Sequence, residues 1–474
     1  MGNRLKRLFT ATAFSTVLVA CSTIDQQPAE RDGSIQNIQL PDSAATRWQQ
    51  GAPIQQHWLG SFNDAHLQAL VQQSVANNHQ LKQQAYSVEM KKQQLISTGS
   101  VLWPSLDLAV NNSRRKTTNP DRYSTSSSAN LTLAYEVDIW GKLSANERNA
   151  NLNYLAEQAS FSQAKQQLVA DVVTAWYGVI EAQQLLALYQ QRTTNSQQNL
   201  EIIESGYRQG LNSALDVYLT RNELNTERSR VAQQQDTLAQ LVRRLERLVG
   251  DYPGAELAVN GTLPLLDSAI PVGLPAQLIR RKPALQASWY QLLASDAALA
   301  YSHKQRFPSL KLTASASDSG TDLTDLLSPS ALAWSLIGNI TAPLFDGGRR
   351  KANEEQARLA VKQGEQGYLN SLYDAFATVE NALSKEQSLK QRYQAMIKAQ
   401  ENAIAAQSLS FEQYKNGLVS YTTVLDAQSR SYDAQSTVIQ LKNQLIANRV
   451  TLHVALGGDF QQHPLQQQQQ QEAK

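Results

Sequence analysis

The chain contains two copies of one plan, and this duplication constrains the fold more than any other feature of the sequence. Four short motifs return in the same order about 204 to 208 residues later. The pairs are Trp103-Pro104-Ser105-Leu106 with Phe307-Pro308-Ser309-Leu310, Gly141-Lys142-Leu143 with Gly348-Arg349-Arg350, Tyr207–Ser213 with Tyr414–Ser420, and Leu248–Asp251 with Leu456–Asp459. A period this long excludes a solenoid, so each copy is a complete structural unit. The sequence predicts two repeats, 63–250 and 276–460, joined by a linker at 251–275.

Each repeat begins with a helical segment and continues with two short strands. In the first repeat the helical pattern covers 64–101, and apolar residues then alternate with polar ones in two segments. The apolar positions are Leu106, Leu108 and Val110, then Leu131, Leu133, Tyr135, Val137 and Ile139. Alternation with a period of two indicates strands of about 9–11 residues with one apolar face. The Ser/Thr-rich stretch between them, with Arg114-Arg115-Lys116, is predicted as a charged extracellular loop.

Long helical hairpins follow the strands in both repeats. From Ser144 to about Gln209 there is no proline, and apolar residues step by four and three in the manner of a coiled coil. About 65 residues at 1.5 Å each give a helix of roughly 100 Å. A turn at Gly210 to Ser213 leads into a return helix, and the second repeat has the same hairpin at 351–416 and 421–456. The heptads alone would also suit a solvated coiled-coil scaffold.

The N-terminus is typical of an exported lipoprotein. Residues 1–20 have a basic start and a short apolar core, as in a signal peptide, and end directly before Cys21. The segment resembles a bacterial lipobox, which implies that Cys21, the one cysteine of the chain, carries a covalent lipid anchor. We expect 21–62 to be a lipidated tether and the Gln-rich tail 461–474 to be disordered.

Composition excludes several other classes of function. The formal net charge is +2, which provides no basic field for a nucleic-acid backbone, so no nucleic-acid partner is expected. One cysteine and six scattered histidines provide neither a disulfide framework nor a metal site. No nucleophile–base set or paired carboxylate is evident, so we expect no enzyme, no metal and no cofactor beyond the lipid on Cys21.

The strands of one chain cannot form a membrane barrel by themselves. Two repeats give four strands, whereas bacterial outer-membrane barrels begin at eight. An open sheet edge in lipid leaves backbone groups without hydrogen bonds. Three chains would supply twelve strands. We therefore expect an α+β membrane protein that forms a trimeric 12-strand outer-membrane β-barrel, continued by a long α-helical coiled-coil periplasmic tunnel.

This plan resembles the TolC-type outer-membrane efflux factors, and within them the NodT lipoprotein branch of OprM/CusC-like proteins. The motifs are Trp103-Pro104-Ser105-Leu106, Tyr135–Leu143, Leu278–Leu285, Phe307-Pro308-Ser309-Leu310, Pro343–Arg349 and Val424–Gln428. They cover 62 to 460 of the chain. The resemblance implies a passive homotrimeric channel-tunnel at the bacterial outer membrane, embedded in its lipid. It also implies docking to a periplasmic adaptor and an inner-membrane efflux pump, and export of drugs, toxic small molecules or metal ions.

The resemblance also implies a gate at the periplasmic end of the tunnel. Asp426 in Val424-Leu425-Asp426 matches a ring aspartate of the family, and Tyr414 and Asp216 match a tyrosine–aspartate link between neighbouring helices. Three Asp426 carboxylates around a threefold axis would form a cation-selective constriction. The chain departs from the family pattern at Thr423 and Val419. The alternative for Asp426 is an ordinary acid in the first turn of a helix, stabilised by the helix dipole.

Two other functions fit parts of the pattern. A lipid-anchored periplasmic adaptor would also carry a helical hairpin, but it should have one hairpin flanked by a small β unit. A lipid-anchored coiled-coil scaffold would have the hairpins without paired amphipathic strands. The duplicated hairpins and the strand pairs favour the channel.

Overall fold

The computed structural model describes residues 58–265, 275–321 and 332–458. Cys21, most of the predicted tether and the Gln-rich tail lie outside these residues. A short 3-10 helix, Trp58–Phe62, precedes eight α-helices and four strands in the described part. The first repeat contains α1 (Ala65–Asn77), α2 (His79–Ser100), β1 (Ser105–Thr118), β2 (Asp121–Val137), α3 (Lys142–Arg208) and α4 (Ala214–Val249). The second contains α5 (Pro275–Arg281), α6 (Pro283–Lys304), β3 (Ser309–Gly320), β4 (Ala333–Thr341), α7 (Arg349–Lys415) and α8 (Tyr421–Ala455).

The predicted helices agree closely with the structure. The long helices α3 and α7 each have 67 residues, which is about 100 Å. The helical segment expected at 64–101 is divided into α1 and α2 at Asn78, whose side-chain oxygen accepts a hydrogen bond from Leu81 N at 2.9 Å and caps α2. In the part of the chain that the structure describes, no helix has the length and apolarity needed to cross a bilayer.

In both repeats the shorter helices meet end to end, with a glycine after one helix packed against the start of the other. After α4, Gly250 has a φ of 89°, and a Cβ there would lie 2.8 Å from the Asn77 backbone oxygen. The Asn78 amide also donates to Leu248 O at 2.9 Å, so α4 ends against the start of α2. After α8, Gly457 lies similarly close to the start of α6, where a Cβ would be 3.1 Å from Lys282 N. The repeated junction confirms that the duplication is structural.

The helices form one lateral series. Both α2 and α4 pack on α3, which in turn packs on α6 and α8, and these two pack on α7. The continuous rods α3 and α7 therefore alternate with the stacked pairs α2/α4 and α6/α8. One side of the series ends at α2/α4 and the other ends at α7.

The largest apolar cluster surrounds the middle of α3 and reaches the N-terminal 3-10 helix. Trp58 is 1% exposed and stacks on His453 with 5.3 Å between the ring centroids. Phe62 packs on Tyr177 of α3 in the same cluster. The predicted tether extended to residue 62, and the structure shows that Trp58–Phe62 belongs to the packed core instead. Burial of these large apolar side chains removes them from water and stabilises the packed position.

The strands differ from the sequence prediction in length. β1 has 14 residues and β2 has 17, and only Asn119 and Pro120 separate them. The predicted extracellular loop was therefore wrong: Arg114, Arg115 and Lys116 lie within β1. Apolar alternation marks a strand only where one face is covered, and this Ser/Thr-rich hairpin carries polar residues on both faces. The expected number of four strands is confirmed, in the order β1-β2-β3-β4.

Candidate channel wall and periplasmic gate

The sheet has one apolar and one polar face, and the register makes both continuous across all four strands. Leu106 pairs with Leu133, Leu133 with Ala314, and Ala314 with Leu336. One residue along, Thr132 pairs with Ser315 and Ser315 with Ser335. Most of the large apolar side chains are exposed in the single chain, for example Leu108 at 69% and Trp334 at 80%. A sheet with an exposed apolar face and a polar opposite face is suited to separate lipid from a water-filled lumen.

Both long sides of the chain are open. β1 and β4 are the edge strands of the sheet, and they adjoin α2 and α7, which end the helical series on the same two sides. Exposed apolar side chains occur on both helices. They include Tyr86 and Met90 on α2 and Leu359 and Tyr373 on α7. Because the two sides differ, a second copy can join only head to tail, and such contacts form a ring where the rotation between copies closes.

The two helical turns meet at the end of the tunnel farthest from the sheet. Ile203, Val217, Tyr421 and Val424 form a buried apolar cluster there, with Tyr414 against it. The Tyr414 hydroxyl donates to Asn212 Oδ1 at 2.9 Å. The Asn212 amide donates to Ile203 O and lies directly over Gly206, where a Cβ would displace it. Tyr414 of α7 is thereby tied to the α3–α4 turn.

The predicted link between Tyr414 and Asp216 takes a different form in this structure. Asp216 Oδ2 accepts from Ser213 N at 3.0 Å and from Ser213 Oγ at 2.8 Å, which completes a capping box at the start of α4. Asn212 is therefore the hydrogen-bond acceptor of Tyr414, and Asp216 acts on Tyr414 at longer range. Burial raises the pKa of the Tyr414 hydroxyl, and the Asp216 carboxylate raises this pKa further. The hydroxyl consequently stays protonated and remains a donor at neutral pH.

Asp426 lies in the second turn of α8. Its side chain is 63% exposed, and its Oδ2 accepts from Arg430 Nε at 2.9 Å. The first turn of α8 contains no acidic residue, so Asp426 is not the first-turn helix acid considered above. The carboxylate raises the pKa of the Arg430 guanidinium. An exposed pair of this kind contributes little to stability.

A buried ion pair above this end was not anticipated from the sequence. Arg192 of α3 is 2% exposed and donates to Glu227 Oε1 of α4 at 2.7 Å. Its guanidinium also lies 4.3 Å from the ring centroid of Tyr432 in α8. Arg230 donates to the same Glu227 oxygen at 2.9 Å. Burial raises the pKa of Glu227, while the two guanidiniums act to lower it. The cluster joins α8, which carries Asp426, to α3 and α4.

Asn212 and Arg192 were not predicted as site residues, but the sequence contains a weak signal for each of them. Asn212 occupies the position of Val419 in the duplicated turn, so a polar residue replaces an apolar one at matched sites. Arg192 lies beside the apolar heptad stripe of α3, where a charge needs a partner. Among the residues that the structure describes, no group of three or more His, Cys, Asp or Glu side chains is placed to hold a metal ion.

Comparison with known proteins agrees with this architecture. Residues 70–251 and 274–458 match the family described as Outer membrane efflux protein. The chain is 30% identical to the toluene efflux pump outer membrane protein TtgI of Pseudomonas putida, over 84% of this chain and 86% of TtgI. It is 27% identical to the cation efflux system protein CusC of Escherichia coli, over 85% of this chain and 88% of CusC. Among solved structures, the Campylobacter jejuni CmeC outer membrane channel is similar with a TM-score of 0.83 and 21% identity, over 92% of this chain and 97% of CmeC.

The expected fold class is confirmed by the observed fold and by these neighbours. It is an α+β membrane protein that supplies four strands to a trimeric 12-strand outer-membrane barrel and paired long helices to a periplasmic tunnel. The matched repeats, the two-faced sheet and the helical hairpins cover nearly all described residues. The chain belongs to the outer membrane efflux protein family.

Proposed function

We propose that this outer-membrane efflux channel is the passive exit duct of a tripartite efflux system and hydrolyses nothing itself. One chain extends from a two-faced sheet to a helical tip about 100 Å away, and this continuity supports the proposal. A head-to-tail ring of three copies would enclose a path along this whole length, with a polar wall at the sheet. Its periplasmic end would dock to an adaptor protein, which connects the duct to an inner-membrane pump.

The cargo that we propose is drugs, toxic small molecules or metal ions. Relatives are named for toluene and for cation efflux, which are chemically unlike each other. The lumen-facing residues of the sheet include Thr132, Ser315 and Ser335, small hydroxyl side chains that favour no particular compound. Such a lining suits a duct in which the pump and the adaptor select the cargo.

We further propose that Cys21 carries the covalent lipid and anchors the N-terminus in the outer membrane. The basic and apolar segment directly before this residue supports the assignment. Trp58 belongs to the buried core, and 36 residues lie between it and Cys21. At up to about 3.3 Å each, this length allows the anchor to reach the membrane from the middle of the tunnel.

The adaptor and scaffold alternatives are less suitable. The family match covers both repeats, and both repeats contain a complete strand pair and a complete hairpin. A solvated scaffold would not need an exposed apolar sheet face, which water disfavours.

We propose that two leucines at the tip of the helical hairpins contact the adaptor. Leu211 is 76% exposed and Leu418 is 72% exposed, at matched positions in the turns of the two repeats. Three chains would present six such leucines in a ring. A ring of exposed apolar side chains of this kind is suited to contact with another protein.

Replacing both leucines with glutamate is expected to abolish efflux while leaving the trimer intact. Cells whose outer-membrane duct is the Leu211→Glu/Leu418→Glu variant should accumulate a fluorescent dye to the level of cells without the duct. The control is Tyr252→Glu, since Tyr252 is 87% exposed but about 55 Å from the turns, at the other end of α4. Normal efflux by the double variant, with trimers in the outer membrane, would show that the tip is not the docking surface.

Replacing Asp426 with alanine is expected to raise single-channel conductance in planar bilayers and to weaken block by multivalent cations. Three carboxylates close to the threefold axis would attract such cations and narrow the aperture. Asp433→Ala is the matched control, because Asp433 is exposed on the same helix about two turns away. If conductance and cation block are the same in Asp426→Ala and the wild type, Asp426 does not line the constriction.

A further inference from the structure

The β1–β2 hairpin carries a basic and aromatic cluster on its outward face, beyond the apolar part of the sheet. We name Arg114, Lys116 and Tyr123 the outer basic cluster. We propose that it binds the phosphate groups of anionic glycolipids in the outer leaflet of the outer membrane. The inference rests on the trimeric outer-membrane channel, since it needs the apolar sheet face to contact lipid.

The outward direction of the cluster follows from an unbroken register. β1 and β2 pair without a bulge from Ser105 with Ala134 to Thr118 with Asp121. Successive side chains therefore alternate between the two faces over the whole hairpin. Arg114 and Lys116 share the face of Leu106, Leu108 and Val110, which contacts lipid. Tyr123 is opposite Lys116 and lies on the same face.

The height of the cluster suits the polar region of the membrane. On β2 the apolar face extends from Val137 to Ala129, and eight residues in a strand tilted by about 40° rise roughly 21 Å along the membrane normal. Arg114 is opposite Thr125, four residues farther, which places its Cα about 10 Å above the top of this belt. The polar region of a bilayer extends about 5–8 Å beyond the hydrocarbon. Arg114 therefore lies at the outer edge of this polar region, where the Tyr123 ring on the same face holds its guanidinium.

The charges in the cluster leave one cation for an external anion. Lys116 Nζ lies 3.3 Å from Asp121 Oδ1, so its charge is shared with this carboxylate. The Arg114 guanidinium lies 4.8 Å from the ring centroid of Tyr123, and within the described ranges no carboxylate partner of Arg114 is found. Asp318 also faces outward, but it pairs with Ala129, two strands away and four residues lower. Arg114 is thus a stacked and oriented guanidinium, which suits bidentate binding of phosphate.

The neighbouring Arg115 provides an internal control. It lies one residue along β1 and on the opposite face, which lines the lumen. A general effect of basic charge at this height would involve both arginines, whereas lipid binding involves only Arg114 and Lys116.

The test is retention of phosphorylated glycolipid by trimers purified in mild detergent, counted by native mass spectrometry. Arg114→Gln/Lys116→Gln trimers should bind the lipid at least about fivefold more weakly, because one cation near an anionic surface contributes about fivefold and Lys116 shares its charge with Asp121. Arg115→Gln should retain the wild-type amount, and Arg114→Lys should retain only part of it, because lysine keeps the charge but cannot bind phosphate in the bidentate manner of a guanidinium. Equal lipid binding by wild type and double variant, or equal loss in Arg115→Gln, would overturn the proposal.

Wild-type trimers give a second test that does not depend on the folding of a variant. Raising the salt concentration from about 0.15 M to 1 M should release the glycolipid, because screening shortens the range of the phosphate–cation attraction. Inorganic phosphate at millimolar concentration should not displace it, since a glycolipid is also held by its acyl chains on the apolar belt. Retention that does not depend on salt, or displacement by inorganic phosphate alone, would contradict a lipid-headgroup site. Channel conductance should be unchanged in the double variant, which separates this site from the duct function.

Discussion

Replacing Glu227 with leucine should lower the free energy of local unfolding in the lower tunnel by about 3–5 kcal/mol. The substitution leaves Arg192 buried without its carboxylate, and Arg192 is only 2% exposed. A buried guanidinium without a counter-charge bears the full cost of its lost hydration. Hydrogen–deuterium exchange of the backbone amides around Arg192 should therefore accelerate, and the apparent Tm of the trimer should fall.

Two further variants separate this effect from a general loss of contacts. Glu204→Leu removes a matched pair between the same two helices, Arg221 with Glu204 at 2.7 Å, whose side chains are 53% and 31% exposed. It should cost at most about 1 kcal/mol, because water replaces the lost partner. Arg192→Leu/Glu227→Leu should recover most of the stability, because no charge is left buried. A double variant as unstable as Glu227→Leu would show that packing, not the unpaired charge, causes the loss.

Replacing Leu336 with arginine should prevent assembly of the trimer in the outer membrane. Leu336 is in register with Ala314 and Leu133, midway along the apolar belt, and is 70% exposed in the single chain. An arginine on the lipid face at mid-depth costs about 2–4 kcal/mol per chain, and three chains each carry it. The measurement is the amount of heat-modifiable trimer in the outer-membrane fraction.

Ser335→Arg is the matched control for this prediction. Ser335 is the preceding residue of β4 and lies on the opposite face, where its Oγ is 2.8 Å from Ser315 Oγ. An arginine there points into the lumen, so the trimer should assemble in normal amount and conduct with altered ion selectivity. Equal assembly of both variants would mean that the apolar face does not contact lipid.

The sequence predicts the plan of this fold well because its main signals are periodic. The duplication, the alternation in the apolar part of the strands and the heptads of α3 each repeat a local pattern, and the structure has the corresponding elements within a few residues. The prediction of strands fails where apolar and polar residues do not alternate. The upper halves of β1 and β2 are polar on both faces, so a strand and a Ser/Thr-rich loop have the same composition there.

The contacts within the candidate gate were less predictable. The Tyr414 hydroxyl has two possible acceptors in the opposite turn, and the capping box at Ser213 occupies Asp216, which leaves Asn212. Arg192 and Glu227 are ordinary charged residues on helices rich in glutamine, and only the packing of α3, α4 and α8 shows that they are buried. These side-chain contacts depend on distances in the folded chain, which spacing along the sequence does not specify.

Three copies should close the two open sides of this chain into one duct, and the native mass of the protein extracted from outer membranes in mild detergent tests this assembly. We expect a single species with three times the mass of one mature chain, in which every chain begins at a lipidated Cys21. A monomer, or a protein that leaves the membrane without detergent, would contradict the twelve-strand barrel and the duct that depends on it.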